Sequence, residues 1–236
     1  MPDLVAASAL GRAVYCPRQL YYARKTGDFE PPDEVTERRE LAFRYPTLRG
    51  ADDVTLRSLP LAVESAAFRA NLDRLADSRR WEALVNPIER DVVLTGKDCR
   101  GVAHKLLDGA AVSENEPGGE EDVDPPPVPS LVSGGVPPPQ GVWEPQAVRA
   151  VALAKALAWE REREIPRALV EYPAVGVVRR VRLTTRRTAR YREALRTVRS
   201  LDGPPPRLSD SAKCDGCEFQ EECGVRSRSL RSLLGL

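Results

Sequence analysis

The sequence predicts an α/β protein in which helices flank one small mixed sheet, and three observations carry that expectation. Short β-rich runs, "RDVVLTGKDCRGVAHKLLDG" (90–109) and "ALVEYPAVGVVRRVRLTT" (168–185), are broken by turn-forming residues. Segments with apolar residues at helical spacing lie before, between and after them. Strand and helix patterns therefore alternate along the chain, which argues for one layered core rather than segregated all-α and all-β halves.

In chain order, "SALGRAVYCPRQLYYARKTG" (8–27) predicts two short helices meeting at Cys16, with Pro17 at a first helical position. A charged stretch follows, and then "ESAAFRANLDRLADSRRWEALV" (64–85) predicts a helix with Ala67, Phe68, Leu72 and Leu75 on its apolar side. Strands are expected at Asp91–Leu94 and Cys99–Leu107, joined through Thr95, Gly96, Lys97 and Asp98. Residues 108–127 are acidic, rich in Gly and Pro and nearly without large apolar groups, the composition of a mobile insertion. A strand at Val128–Ser133 and the irregular "VPPPQGVWEP" (136–145) lead to the best-patterned helix. In it Val148, Val151, Ala152, Lys155, Ala156 and Trp159 form one stripe. A strand pair with Val178, Val181 and Leu183 near its core precedes "ARYREALRTVRSL" (189–201), whose inward face carries Tyr191, Ala194, Leu195, Val198 and Leu201. The expected organisation is one domain over 1–236: a helical part at 1–85, a sheet core at 86–185 and a helix with a cysteine tail at 186–236.

A chain of 236 residues that is 42% hydrophobic can bury a core, which excludes disorder of the whole. Lys and Arg total 36 against 35 Asp and Glu, so net charge selects no partner, but its distribution is uneven. Arginines dominate from Arg161 to Arg199, whereas every charged residue from Glu114 to Asp124 is acidic. No leader-like start and no run of about 20 apolar residues is found, so a cytoplasmic protein that does not cross a membrane is expected.

Five cysteines in a reducing compartment are better read as metal ligands plus a spare than as disulfides. "KCDGCEFQEEC" (213–223) holds Cys214, Cys217 and Cys223, three thiolates in need of a fourth ligand. The candidates are Cys16, Cys99 and His104, the one histidine of the chain. Cys16 is favoured because domain ends tend to lie close together, which leaves Cys99 as the spare. The segment around the three cysteines has Phe219 as its one large apolar residue, so little besides a metal would order it. Spacing leaves zinc and an iron-sulfur cluster both open.

"YCPRQLYY" (15–22), "GVAHKLLDG" (101–109), "VPPPQGVWEP" (136–145), "VRRVRLTTRRTARYREALRTVRSL" (178–201) and "PPPRLSDSAKCDGCEFQEEC" (204–223), in that order, resemble a family. It is the CRISPR-associated iron-sulfur nucleases of the RecB-like superfamily, Cas family four, related to Dna2-type nuclease domains. The resemblance implies a RecB-like (PD-(D/E)XK) nuclease fold and a 4Fe-4S cluster on Cys16, Cys214, Cys217 and Cys223 that staples the tail to an N-terminal helix. It also implies a site in which an Asp, a Glu-x-Lys strand and an upstream His hold Mg2+ or Mn2+ against a phosphodiester. Here His104 stands for the Asp, Ser130 and Val132 for the Glu and Lys, and Arg149 and Leu153 for the Gln and Tyr on the next helix; no upstream histidine exists. Asp98, Asp108, Glu89 and Asp91 are the acids nearby in sequence. Loss of both central carboxylates implies an inactive nuclease.

The expected function is therefore a degenerate iron-sulfur RecB-like protein that binds DNA or serves as an accessory to CRISPR integration proteins or repair. Arg180, Arg182, Arg186, Arg187 and Arg192 are the candidate phosphate contacts. An active metal-dependent single-stranded DNA exonuclease and an interaction scaffold without DNA binding are the alternatives.

Overall fold

The structure, a computed structural model, describes residues 3–27, 33–112, 125–208 and 212–224. It begins with a two-residue strand β1 (Val5–Ala6), then α1 (Ala7–Tyr15) and α2 (Pro17–Thr26). The predicted break between them is real: Cys16 is extended, with φ −158° and ψ 110°, and Pro17 opens α2 because its missing N–H has no helical partner to lose.

The charged stretch that sequence pattern left unassigned is helical. It forms α3 (Asp33–Glu40), a 3-10 turn at Leu41–Phe43, α4 (Tyr45–Arg49) and α5 (Asp53–Arg57). The helix expected over 64–85 is two helices, α6 (Ser65–Ala76) and α7 (Trp81–Val85). They are separated at Asp77–Arg80, where the Ser78 hydroxyl and backbone N–H both turn back to the Leu75 carbonyl.

Strands β2 (Glu89–Thr95), β3 (Cys99–Leu107), β4 (Val128–Val132), β5 (Arg167–Tyr172) and β6 (Val177–Arg182) complete a mixed six-stranded sheet. The long helix α8 (Glu144–Glu160) crosses between β4 and β5, which run parallel as such a crossover requires. Then α9 (Thr185–Arg199) and the short α10 (Ala212–Asp215) follow. One apolar core lies between the sheet and α1, α8 and α9, with Leu10, Ala103, Val151, Leu153, Val170 and Leu195 buried in it. The other holds the sheet's opposite face against the 3-10 turn, α4, α6 and α7 through Leu41, Tyr45, Phe68, Leu84, Leu107 and Leu169. Gly101 permits the closest approach of sheet to helix, since a β-carbon there would come within 3.0 Å of Leu153 and 2.8 Å of Ala7. Trp159, expected in the α8 stripe, is 59% exposed at the helix's far end. Of the predicted insertion, 113–124 and with it the whole acidic run lie outside the described residues.

Strand β3 is the organising element. Its one edge carries β2 from Thr95 to Glu89; its other edge carries β1 at Cys99–Arg100 and β4 at Lys105–Leu107. Residues 101–104 of that second edge are thus left between two neighbours, and the sheet forks there. At the fork the alternation of side chains inverts. Ala103 faces the α8 core, yet Lys105 and Leu107 face the α4–α7 core, and opposite His104 the β2 residue Asp91 adopts a left-handed φ of 51°. Asp tolerates this conformation better than most residues.

The inversion delivers Lys105 into the second core. Its ammonium, fully buried, donates to the carbonyls of Ala42 (2.7 Å) and Leu84 (2.9 Å) and to Glu171 Oε2 (2.8 Å), which uses all three of its protons. The other carboxylate oxygen of Glu171 accepts from Ser130 Oγ at 2.6 Å. The rings of Tyr45 and Phe43 cover the ammonium at 4.9 and 5.3 Å. Three strands and two helical segments meet on this pair. Glu171→Gln or Lys105→Met alone is expected to lower stability in urea titrations by about 3–5 kcal/mol, and the Lys105→Met/Glu171→Met double variant by less than the sum. A single-variant loss below about 1 kcal/mol would mean the pair is screened like a surface bridge.

Candidate functional site

The fork lies where the resemblance places a nuclease centre, and its residues can be taken one by one. His104, half-buried, accepts the Val132 N–H on Nδ1 at 3.1 Å, replacing the ladder bond that the splayed strands cannot make. The neutral ring therefore carries its proton on Nε2. Burial, then the charges of Arg149, Arg39 and Lys105, lower its pKa to about 4. Burial and the charges of Arg39 and Arg12 lower Arg149 to about 10. Ser130 is fully buried on Glu171, and Val132 is buried in the α4–α7 core beside it.

These residues do not fit a Mg2+ or Mn2+ ion. A dication needs hard anionic oxygens, and every charge that acts on His104 here is positive. The neighbouring acids do not compensate: Asp98 pairs with Arg199 at 3.0 Å, Asp108 accepts the Ala110 N–H at 2.9 Å, and Glu89 and Asp91 are exposed on β2, across β3 from the open edge. Glu171 is committed to Lys105. Among the described residues no group of three or more His, Cys, Asp or Glu side chains is arranged as a metal site.

The cysteine tail docks on α1 and α2. Tyr15 Oη donates to the Lys213 carbonyl at 3.2 Å, Arg18 donates to the Pro205 carbonyl at 2.7 Å, and the Tyr22 ring stacks on buried Phe219 with centroids 6.1 Å apart. Within the tail the Cys217 N–H reaches the Cys214 carbonyl at 3.0 Å and the Cys223 N–H reaches Phe219 at 2.9 Å. Burial pushes the Cys217 thiol up, opposed by the Phe219 N–H, and the Cys16, Glu218 and Cys214 side chains add to the rise. Partial burial of the Arg18 guanidinium is outweighed by Cys223 beside it, which raises its pKa. Cys16 and Cys214 both act on Cys217, and Cys223 lies against Arg18 of α2, so the tail cysteines dock at the end of the chain that carries Cys16, although among the described residues they are not drawn together as a metal site. Cys99 does not belong to this set: it is buried against α8, accepts from Tyr191 Oη at 3.2 Å and has its pKa raised, by burial first.

The arginines of β6 and α9 line a cleft of about 690 Å³. Arg180, Arg182, Arg186 and Arg187 all open into it, joined by Arg190, and Glu144 is its one acid. Arg190 is held by Glu144 (2.9 Å) and Glu193 (2.7 Å), and Arg187 by the Arg182 carbonyl (3.0 Å). Thr184 caps α9 by accepting the Arg187 N–H, so the positive end of that helix faces the same opening. Arg192 is exposed but does not line the cleft.

No family model matches the chain, and no curated protein matches it. The sequence reading missed Lys105, Glu171 and Arg39. Two consecutive polar residues, His104 and Lys105, between Val102–Ala103 and Leu106–Leu107 were the available signal of an inverted pleat.

One outcome follows from this geometry and one from the resemblance. His104 is about 2.5 units easier to protonate unfolded than folded, so its contribution is complete above pH 6.5 and is lost as pH falls toward 4, by about 3 kcal/mol in total. His104→Gln should lose less stability than the parent across that window in urea titrations; equal losses would contradict the assignment. Protein purified without oxygen should carry about four irons per chain, lost in Cys16→Ala and Cys217→Ala but kept in Cys99→Ala. Stoichiometric zinc instead of iron would contradict the cluster.

Proposed function

We propose that this chain is an iron-sulfur protein of RecB-like architecture that has lost hydrolysis and retains binding to a nucleic-acid strand, in the service of CRISPR adaptation or repair. The observation that carries the reading is the cleft, where the chain brings four of its predicted phosphate-contacting arginines, Arg180, Arg182, Arg186 and Arg187, together with Arg190. Guanidinium groups bind phosphate oxygens in pairs of parallel hydrogen bonds, and a groove with five of them against one carboxylate favours a polyanion. The mixed sheet, with β4, the α8 crossover and parallel β5, supports the layout that the resemblance implies.

Cys16, Cys214, Cys217 and Cys223 would hold the cluster. When bound, it supplies a cross-link between the two ends of the chain. The protein groups act around it: Tyr15, Arg18 and Tyr22 seat the tail, and the Cys214–Cys217 turn presents two sulfurs from one loop. Integration proteins of a CRISPR system are the partners this reading implies. No helix among the described residues is long and apolar enough to cross a membrane.

Fluorescence anisotropy with a labelled single strand tests the reading. Affinity should fall with salt with a logarithmic slope of about −3, as four phosphate contacts to a single strand require. Arg182→Ala/Arg186→Ala should weaken binding and make that slope shallower, and added Mn2+ should leave the strand intact. Mn2+-dependent degradation abolished by chelation would establish the exonuclease instead, and absence of both binding and cleavage would leave an interaction scaffold.

A further inference from the structure

The fork between β1 and β4, which does not fit a dication, presents buried donors instead. We propose that it binds one phosphate-class anion, held by the guanidinium groups of Arg149 and Arg39 and by the Nε2–H of His104. α8 supplies Arg149, α3 supplies Arg39 and β3 supplies His104, and the charges of both arginines act on His104 and that of Arg39 on Arg149.

The placement of Arg149 is built into the packing of α1 against α8. A β-carbon on Gly11 would lie 2.7 Å from Arg149 Cδ and 2.9 Å from its Cγ, so the glycine makes the channel through which the side chain passes. The Nε of Arg149 is buried and makes no hydrogen bond, and the same holds for the Nε of Arg39. Gln146, one turn earlier on α8, likewise has a buried amide oxygen without a partner, and its amide can turn to present N–H donors. The Val132 N–H occupies Nδ1 of His104, so the ring can only donate toward the fork.

Buried guanidinium donors without acceptors are costly, and here the Nε atoms of Arg39 and Arg149 have none, with no carboxylate paired to either among the described residues. Lys105 is neutralised by Glu171, and the charge of Arg12 also acts on Glu218. A tetrahedral oxyanion can accept a pair of parallel hydrogen bonds from each guanidinium and one from the imidazole, more than the roughly four acceptor sites of one carboxylate. Arg39, Arg149 and His104 are each half-buried, so the site is reachable from solvent. Its occupant is free phosphate or the terminal phosphate of a nucleic-acid strand. The inference is independent of strand binding by the arginine cleft.

The test uses the full chain, purified without oxygen and without phosphate, and follows thermal unfolding as sodium phosphate replaces chloride at constant ionic strength. Phosphate should raise the midpoint by several degrees. Arg149→Met and Arg39→Met should each abolish the shift, and Arg149→Met should melt no lower than the parent in chloride because it removes an unpaired buried charge. Arg182→Ala/Arg186→Ala should keep the shift, so a cleft that fails to bind DNA leaves this site standing. A second arm compares 5′-phosphorylated with 5′-hydroxyl strands of one sequence by anisotropy. A preference of about ten-fold that Arg149→Met removes assigns the site to a strand end; no preference, with the phosphate shift intact, assigns it to the free anion. Phosphate acting no differently from chloride, or a shift that survives in both methionine variants, would overturn the proposal.

Discussion

The buried ion pair between Lys105 and Glu171 is the constraint on which the rest of the architecture depends. It joins β3 to β5, Ser130 adds β4, and the Ala42 and Leu84 carbonyls add the helical layer that covers the sheet. To reach that layer Lys105 must sit on the opposite face from Ala103, so the pleat of β3 inverts at His104 and β2 accommodates it with a left-handed Asp91. The inversion splits the edge of β3, and the split makes the fork.

The fork turns one requirement of phosphodiester hydrolysis into its opposite. A dication site draws its affinity from carboxylates that outnumber nearby cations; this one gathers His104, Arg149 and Arg39 and commits the nearest buried carboxylate to Lys105. Helix α1 links it to the cysteine end. Its nine residues rise about 13 Å, carrying Gly11 and Arg12 at the fork and delivering Cys16 just past its last turn. Arg12 acts electrostatically on Arg149 at one side and on Glu218 of the tail at the other.

Much of this was legible in the chain itself, because the signals were local. The Cys16–Pro17 break, the turn at Thr95–Asp98, the apolar stripe of α8 and the arginine-rich α9 follow from propensity and periodicity, but not the start of α9 at its Thr184 cap. The short helices α3, α4 and α5 did not, because five- to eight-residue helices take their stability from tertiary packing rather than pattern. Strand β1 was equally silent: two residues, Val5 and Ala6, pair only because β3 offers an uncovered edge. At the site, Cys16, His104, Ser130 and the arginines could be named from sequence, whereas the partners of Lys105 and the residues packed around Arg149 come from elements far away along the chain. Glu171 is the one acid of β5; the register pairs it with Val132, and only the folded sheet brings its carboxylate to Ser130 of β4 and Lys105 of β3.

The most direct measurement is anomalous diffraction from oxygen-free crystals soaked in manganese, recorded at the iron and manganese edges. The account requires iron among Cys16, Cys214, Cys217 and Cys223 and no manganese in the fork beside His104. Manganese seated between His104 and the acids of β2 or β5 would contradict it.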